Sequence, residues 1–85
     1  MRADQSATGW FAVNQPVWIT CAESGDLPVP GTLTEVSSRA VRIDVERVLQ
    51  PGSFVEVWWG SRLLLCQIRS RSREFRVQMR VLEAL

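Results

Sequence analysis

From Pro16 to Leu82, apolar side chains recur at every second position over most of the chain. On an extended strand that period sends one set of side chains to one face and the other set to the opposite face. Val17, Ile19 and Cys21 form the first inward set, around Trp18 and Thr20. Residues 24–31, Ser-Gly-Asp-Leu-Pro-Val-Pro-Gly, are dense in turn formers and exclude a helix, and Gly31 opens a second strand, Thr32 to Val36. Ser37-Ser38-Arg39 is a tight connection to a third strand. There Val41, Ile43 and Val45 alternate with Arg42, Asp44 and Glu46, as half-buried antiparallel strands do. After the turn Gln50-Pro51-Gly52-Ser53, Val55, Val57 and Trp59 face inward while Phe54, Glu56 and Trp58 face outward. Gly60-Ser61-Arg62 joins this strand to Leu63 to Arg69, with Leu64, Cys66 and Ile68 inward and Leu63 and Leu65 outward. Beyond the turn at Ser70 to Arg73, the set Phe75, Val77, Met79 and Val81 alternates with Arg76, Gln78 and Arg80.

Short connections between strands, and no segment of helical period, predict an all-β fold. The expected architecture is a small six- to seven-stranded antiparallel β-barrel, because closure removes the edges that a flat sheet leaves open. The apolar cluster Trp10-Phe11-Ala12-Val13 supplies the seventh strand or lies over one end of the core, and Glu46 to Leu49 is compatible with one helical turn. Residues 1–15 read as an N-terminal arm and residues 16–85 as the barrel domain. At this length folding buries only roughly 60–65% of the unfolded surface, so nearly every apolar side chain must contribute.

With 46% hydrophobic and 22% charged residues, the composition is that of a globular domain. The formal net charge is +1, so no global field draws the chain to polyanions or membranes. Histidine is absent, and Cys21 and Cys66 stand far apart, so neither the commonest general base nor a four-ligand metal motif is present; the expectation is no enzyme and no metal site. The two cysteines read as buried thiols in a reducing compartment. The opening Met1-Arg2-Ala3-Asp4-Gln5-Ser6 lacks a signal-peptide pattern, and no apolar run approaches the ~20 residues of a membrane span. The expectation is a cytoplasmic protein without membrane insertion.

The run Gly31 to Ile43, Gly-Thr-Leu-Thr-Glu-Val-Ser-Ser-Arg-Ala-Val-Arg-Ile, resembles the PilZ family of bacterial second-messenger receptors, in which a strand ends in Asp/Asn-x-Ser-x-x-Gly before a second apolar strand. The layout continues through Pro51 to Val57, Leu63 to Ile68, and Val77 to Val81, where the family often has Val-Gly-x-x-Phe; the resemblance spans residues 16 to 82. It implies a PilZ-like barrel in cyclic di-GMP signalling. In the family, the serine motif and an upstream Arg-x-x-x-Arg motif clamp the dinucleotide. Here Ser37 is retained, Glu35 stands for the Asp or Asn, Ala40 stands for the glycine, and the only arginine before Ser37 is Arg2. Each missing guanidinium fork removes bonds worth roughly 1.5–3 kcal/mol, so two losses weaken binding by roughly a hundredfold to ten-thousandfold. The implied ligand set is the degenerate one of Glu35 and Ser37 with Arg39 and Arg42, and the expectation is weak or no cyclic di-GMP binding and no other cofactor.

Two surface features remain. Arg69, Arg71, Arg73, Arg76 and Arg80 make the most charged stretch, either a solvated hairpin that keeps a sheet edge soluble or an anion patch. Glu74 interrupts it. Trp58, Leu63 and Leu65, by contrast, are apolar on an outward face. They are either covered by the Trp10-Phe11 segment or used as an interface with a protein partner or a second copy. The reading reached is a non-catalytic PilZ-like binding or regulatory module that works through a protein interface. The alternative is an SH3-like or OB-like barrel that binds nucleic acid through its arginine-rich face.

Overall fold

The computed structural model of the chain describes residues 9–21, 27–71 and 75–85. Among these residues six strands are present: β1 (Phe11–Cys21), β2 (Val29–Val36), β3 (Ala40–Val45), β4 (Phe54–Trp59), β5 (Arg62–Arg71) and β6 (Arg76–Ala84). All neighbours are antiparallel, and the order β1-β2-β3-β6-β5-β4 closes into a barrel. Two three-stranded meanders, β1-β2-β3 and β4-β5-β6, are thus joined along two seams, β3–β6 and β1–β4. No helix occurs among the described residues, and so none is long and apolar enough to cross a membrane.

The inward sets are those of the alternation. Val17 and Ile19 of β1, Leu33 of β2, Val41, Ile43 and Val45 of β3, Val55 and Val57 of β4, Leu64, Cys66 and Ile68 of β5, and Val77 and Met79 of β6 are all buried. No polar or charged side chain among the described residues is buried with them. The core is therefore held by apolar packing alone. Trp59 and Val81 pack against it from the barrel ends.

Bulges and turns set where the strands bend. β1 already begins at Phe11, so residues 11–15 of the expected arm continue the first strand through a bulge between Ala12 and Gln15, with Asn14 at φ 55°. Ser53 N–H donates to Gln50 O at 3.2 Å, and Gly52 at φ 94° follows Pro51, the geometry of a type II turn whose third position favours glycine. Glu46 to Leu49 forms no helical turn; it is irregular, and Leu49 is buried against the barrel core.

Two expectations shift at one end of the barrel. β2 starts at Val29 instead of Thr32, because β1 is long enough to pair as far as Ile19↔Val29. Pro30 is accommodated where β2 overruns the end of β3, whose pairing begins at Gly31↔Val45. Phe75 precedes β6 and is 41% exposed: its place in the inward series lies past the last pair, Asp44↔Arg76, where it lines the open groove at the barrel end.

Cys66 is a buried thiol and Cys21 is half-buried. Cys21 pairs with Val55 and Val55 with Cys66, so the cysteines stand two strands apart, about 9–10 Å, beyond the ~7 Å limit for a disulfide.

Gly31 of β2 lies tight against β1 and β3. A Cβ there would meet Asp44 O at 3.0 Å, Ile19 Cδ1 at 3.0 Å and Ile43 Cγ2 at 3.2 Å. Neither a strand carbonyl nor two core isoleucines can yield cheaply, so Gly31→Ala should lower stability by about 1–3 kcal/mol in urea unfolding. Burial pushes the Cys66 thiol from about 9 up to about 12. The unfolded chain releases this proton near pH 9 and the folded chain only near 12. The stability carried by the neutral thiol is therefore complete below pH 9 and is lost as pH rises to about 12, by on the order of 4 kcal/mol. Unfolding midpoints measured across that window should fall steeply in the native sequence and less steeply in Cys66→Val.

Candidate functional site

The outer face of the barrel divides into a polar side, β2-β3-β6, and an apolar side, β1-β4-β5. On the polar side the strand register brings Glu35, Arg42 and Gln78 into one row. Arg42 Nη1 donates to Glu35 Oε1 at 3.0 Å, and its Nε donates to Gln78 Oε1 at 3.4 Å. The Arg42 guanidinium also lies over the Trp10 ring, 3.9 Å from its centroid. A bulge between Leu33 and Glu35 sets this geometry, and the hydroxyl of Thr34 donates to Arg42 O at 3.0 Å. Arg42 is therefore occupied on its carboxylate, amide and aromatic sides at once.

Ser37 closes the β2–β3 hairpin. Its N–H donates to Ala40 O at 2.8 Å, and its hydroxyl accepts from Ala40 N–H at 3.2 Å and lies 3.3 Å from Ala40 O. Ala40 is the first residue of β3 and does not have a positive φ, so its Cβ carries no backbone strain there. Arg39 is exposed at the tip, where its carbonyl accepts from Val81 N–H at 2.8 Å. The structure thus brings Glu35 and Arg42 together as a salt bridge and gives Ser37 a local, hairpin-closing role. None of the four lines the groove at the barrel end or the depression at the β4–β5 hairpin.

The arginine stretch is dispersed in the same way. Arg76 grips Asp44 in bidentate fashion, Nε to Oδ1 at 2.7 Å and Nη2 to Oδ2 at 2.9 Å, which raises the arginine's pKa through that hydrogen bond and charge. This pair lies in an open groove of about 810 Å³ at one barrel end, together with Gly31, Glu46 and Phe75. Arg69, Arg71 and Arg80 are exposed, with Arg80 between Ala40 and Gln67 in the register, and Arg73 lies outside the described residues. Among the described residues no cluster of His, Cys, Asp or Glu has the makings of a metal site.

On the apolar side, Trp58 pairs across the closing seam with Trp18 and across the β4–β5 hairpin with Leu63; Trp18 in turn pairs with Pro30. Pro30, Trp18, Trp58 and Leu63 therefore form one unbroken row over four adjacent strands, with neighbouring Cβ atoms roughly 4.5–5.5 Å apart. Trp18 is 54% exposed and Trp58 41% exposed, while Leu63 is half-buried. Leu65 lies in the next row, between Glu56 and Glu83. The hairpin end of the tryptophan row opens into a depression of about 620 Å³ lined by Gln15, Pro16, Trp59, Gly60, Ser61 and Arg62. Gly60, at φ 61°, makes that turn. Trp10 is not on this side: it lies over Arg42, so the Trp10-Phe11 segment leaves Trp58 and Leu63 uncovered.

Trp18 and Pro30 are the site residues that sequence reasoning missed. The signal for Trp18 was present, because the alternation that turns Val17 and Ile19 inward turns Trp18 outward. What local sequence does not carry is the β1–β4 pairing that sets it beside Trp58. Arg42→Ala removes a salt bridge, a stacked aromatic and a cross-strand contact from the polar side, and should cost about 1–2 kcal/mol in urea unfolding. Arg42→Lys should recover only part of this, since an ammonium lacks the planar fork.

Comparison with family models, with curated proteins and with solved structures finds no match to this chain, so the PilZ resemblance rests on the residue layout alone.

Proposed function

We propose that this chain is a non-catalytic, PilZ-like binding or regulatory module of the cyclic di-GMP signalling type that acts through a protein interface on the outer face of β1-β4-β5, centred on Trp58. The observation that carries this reading is the row Pro30, Trp18, Trp58 and Leu63, in which two tryptophans lie side by side in solvent. Exposed tryptophans on a continuous apolar strip are typical of interface centres. Little direct recognition of cyclic di-GMP is expected, because Glu35, Ser37 and Arg42 are already engaged with one another, with Ala40 or with Trp10. Nucleic-acid binding through the arginine stretch is disfavoured by the commitment of Arg76 to Asp44 and by the net charge of +1.

Calorimetric titration with cyclic di-GMP should show no saturable binding below roughly 100 µM, the level to which a micromolar site falls on losing a hundredfold. A sub-micromolar dissociation constant that disappears in Ser37→Ala would overturn this. Association with a protein through Trp58 should change little with added salt, whereas binding to a nucleic acid would weaken steeply.

A further inference from the structure

We infer that the depression at the β4–β5 hairpin binds a small organic carboxylate with a flat apolar body, with Arg62 as its anion anchor and Trp59 as its apolar wall. This site is independent of what covers Trp18 and Trp58. Strand register sets Trp59 opposite Arg62, in the inward series that Val55 and Val57 form on β4 and Leu64 on β5. At the hairpin that series has reached the end of the barrel. Trp59 is therefore only half-buried, packed on the edge of the core, and Arg62 is exposed. Gln15 and Pro16 of β1, with the turn residues Gly60 and Ser61, complete a depression of about 620 Å³, within the roughly 300–1,000 Å³ of small-molecule sites.

The polar side chains of this depression are uncommitted. Among the described residues no hydrogen bond, ion pair or ring contact engages the side chains of Gln15, Trp59, Ser61 or Arg62, and no unpartnered side-chain polar atom is buried, so all four are open to solvent. The groove at the other end of the barrel differs, because its arginine, Arg76, is already taken by Asp44. Indole and guanidinium can only donate hydrogen bonds, and the amide of Gln15 and the hydroxyl of Ser61 can donate as well. No carboxylate lines the depression. Leu85, whose N–H donates to Leu63 O at 2.8 Å on the far side of β5, makes no ion pair with Arg62. A donor-lined depression with one cation suits an oxyanion. A single guanidinium matches one negative charge, and its planar fork matches the two oxygens of a carboxylate, whereas a phosphate dianion would leave a charge unmet. The Trp59 indole and the Pro16 ring supply apolar surface for the body of the ligand, and packing of Trp59 on the core fixes that wall before binding.

Titration of the whole chain with phenylacetate, followed by two-dimensional proton–nitrogen NMR, tests the site residue by residue. Saturable shifts are expected at the Trp59 indole N–H, at Arg62 and at the Gly60 and Ser61 amides, but not at Ser37 or Arg76, with a dissociation constant of about 1 mM for so small a ligand. Phenylacetamide, the neutral isostere, should bind roughly tenfold more weakly or worse, and Arg62→Gln should weaken phenylacetate by a similar factor. Arg62 is exposed, and the unchanged remainder of the spectrum reports that the variant is folded. Phenylphosphonate should bind no tighter than phenylacetate. The absence of saturable shifts at Trp59 and Arg62 up to about 20 mM phenylacetate overturns the site. Binding that Arg62→Gln leaves unchanged, or that phenylacetamide reproduces, overturns the anion anchor. Tighter binding of phenylphosphonate overturns carboxylate as the ligand class. None of these outcomes bears on the protein interface at Trp58, which the salt dependence of partner binding tests separately.

Discussion

The barrel depends on one seam, the pairing of β1 with β4. Its ladder is the shortest of the six, running from Trp18↔Trp58 to Cys21↔Val55, yet it turns an open six-stranded sheet into a closed one. Without it, Val17, Ile19, Val55 and Val57 would lie on the two edge strands of an open sheet, with hydrated flanks and unpaired backbone groups. Inside the seam Ile19 meets Val57; outside it Trp18 meets Trp58. Closure therefore fixes the core and assembles the tryptophan pair in a single step. Where β1 overruns β4, at residues 11–16, the bulge at Asn14 and the missing N–H of Pro16 make that stretch a poor template for another strand.

The core does not distinguish the two sides of the exterior, since both are backed by the same kind of buried aliphatic residue. Outside, the sides differ completely. Arg42 with Glu35 and Arg76 with Asp44 tie β2, β3 and β6 together through half-exposed side chains. Exposed pairs of this kind contribute roughly 0–1 kcal/mol each, so they specify strand partners more than they stabilise the barrel. On β1, β4 and β5 the outward row Trp18, Trp58 and Leu63 is aromatic and aliphatic, with Thr20, Glu56 and Leu65 in the next row, and the two tryptophans add little to the core while they stay in water. The inner faces of the strands thus carry the core, while the outer faces of β1 and β4 leave two tryptophans in water.

How far the sequence was legible follows from the range of each interaction. Alternation is local, and it placed Val41, Ile43, Val45, Val55, Val57, Leu64, Cys66 and Ile68 inward and Trp58 outward. The type II turn at Pro51-Gly52 and the hairpin at Gly60 were readable for the same reason. Pairing between distant strands is not local, so the juxtaposition of Trp18 with Trp58 and of Trp10 with Arg42 could not be read. Phe75 continues the inward period of β6, yet it stands at the last hydrogen bond to β3, from Val45 N–H to its carbonyl, and its ring is left exposed at the groove end of the barrel. Leu65 was read as part of the tryptophan patch, but a row's chemistry depends on its cross-strand neighbours, and these are Glu56 and Glu83. Glu35 and Arg42 were legible as charged residues on one hairpin; that they neutralise each other depends on the bulge at Thr34, which no turn motif announces.

The two sides also differ in what a ligand would have to displace. For Arg42 to hold a phosphate, it must give up Glu35 and move off Trp10, leaving a half-buried carboxylate beside an anionic ligand. The new charge-assisted bond is then largely offset by the one lost, and the remaining like-charge contact opposes binding. Recruiting Ser37 has a similar cost, because its hydroxyl accepts the Ala40 N–H that starts β3. Covering Trp18 and Trp58 breaks no hydrogen bond or ion pair between them and their register neighbours, and it removes apolar area from water at ~25 cal/mol per Å² before the entropy of association is subtracted. In a barrel whose polar side is already self-satisfied, the tryptophan side is where a partner can be gained without first undoing the fold.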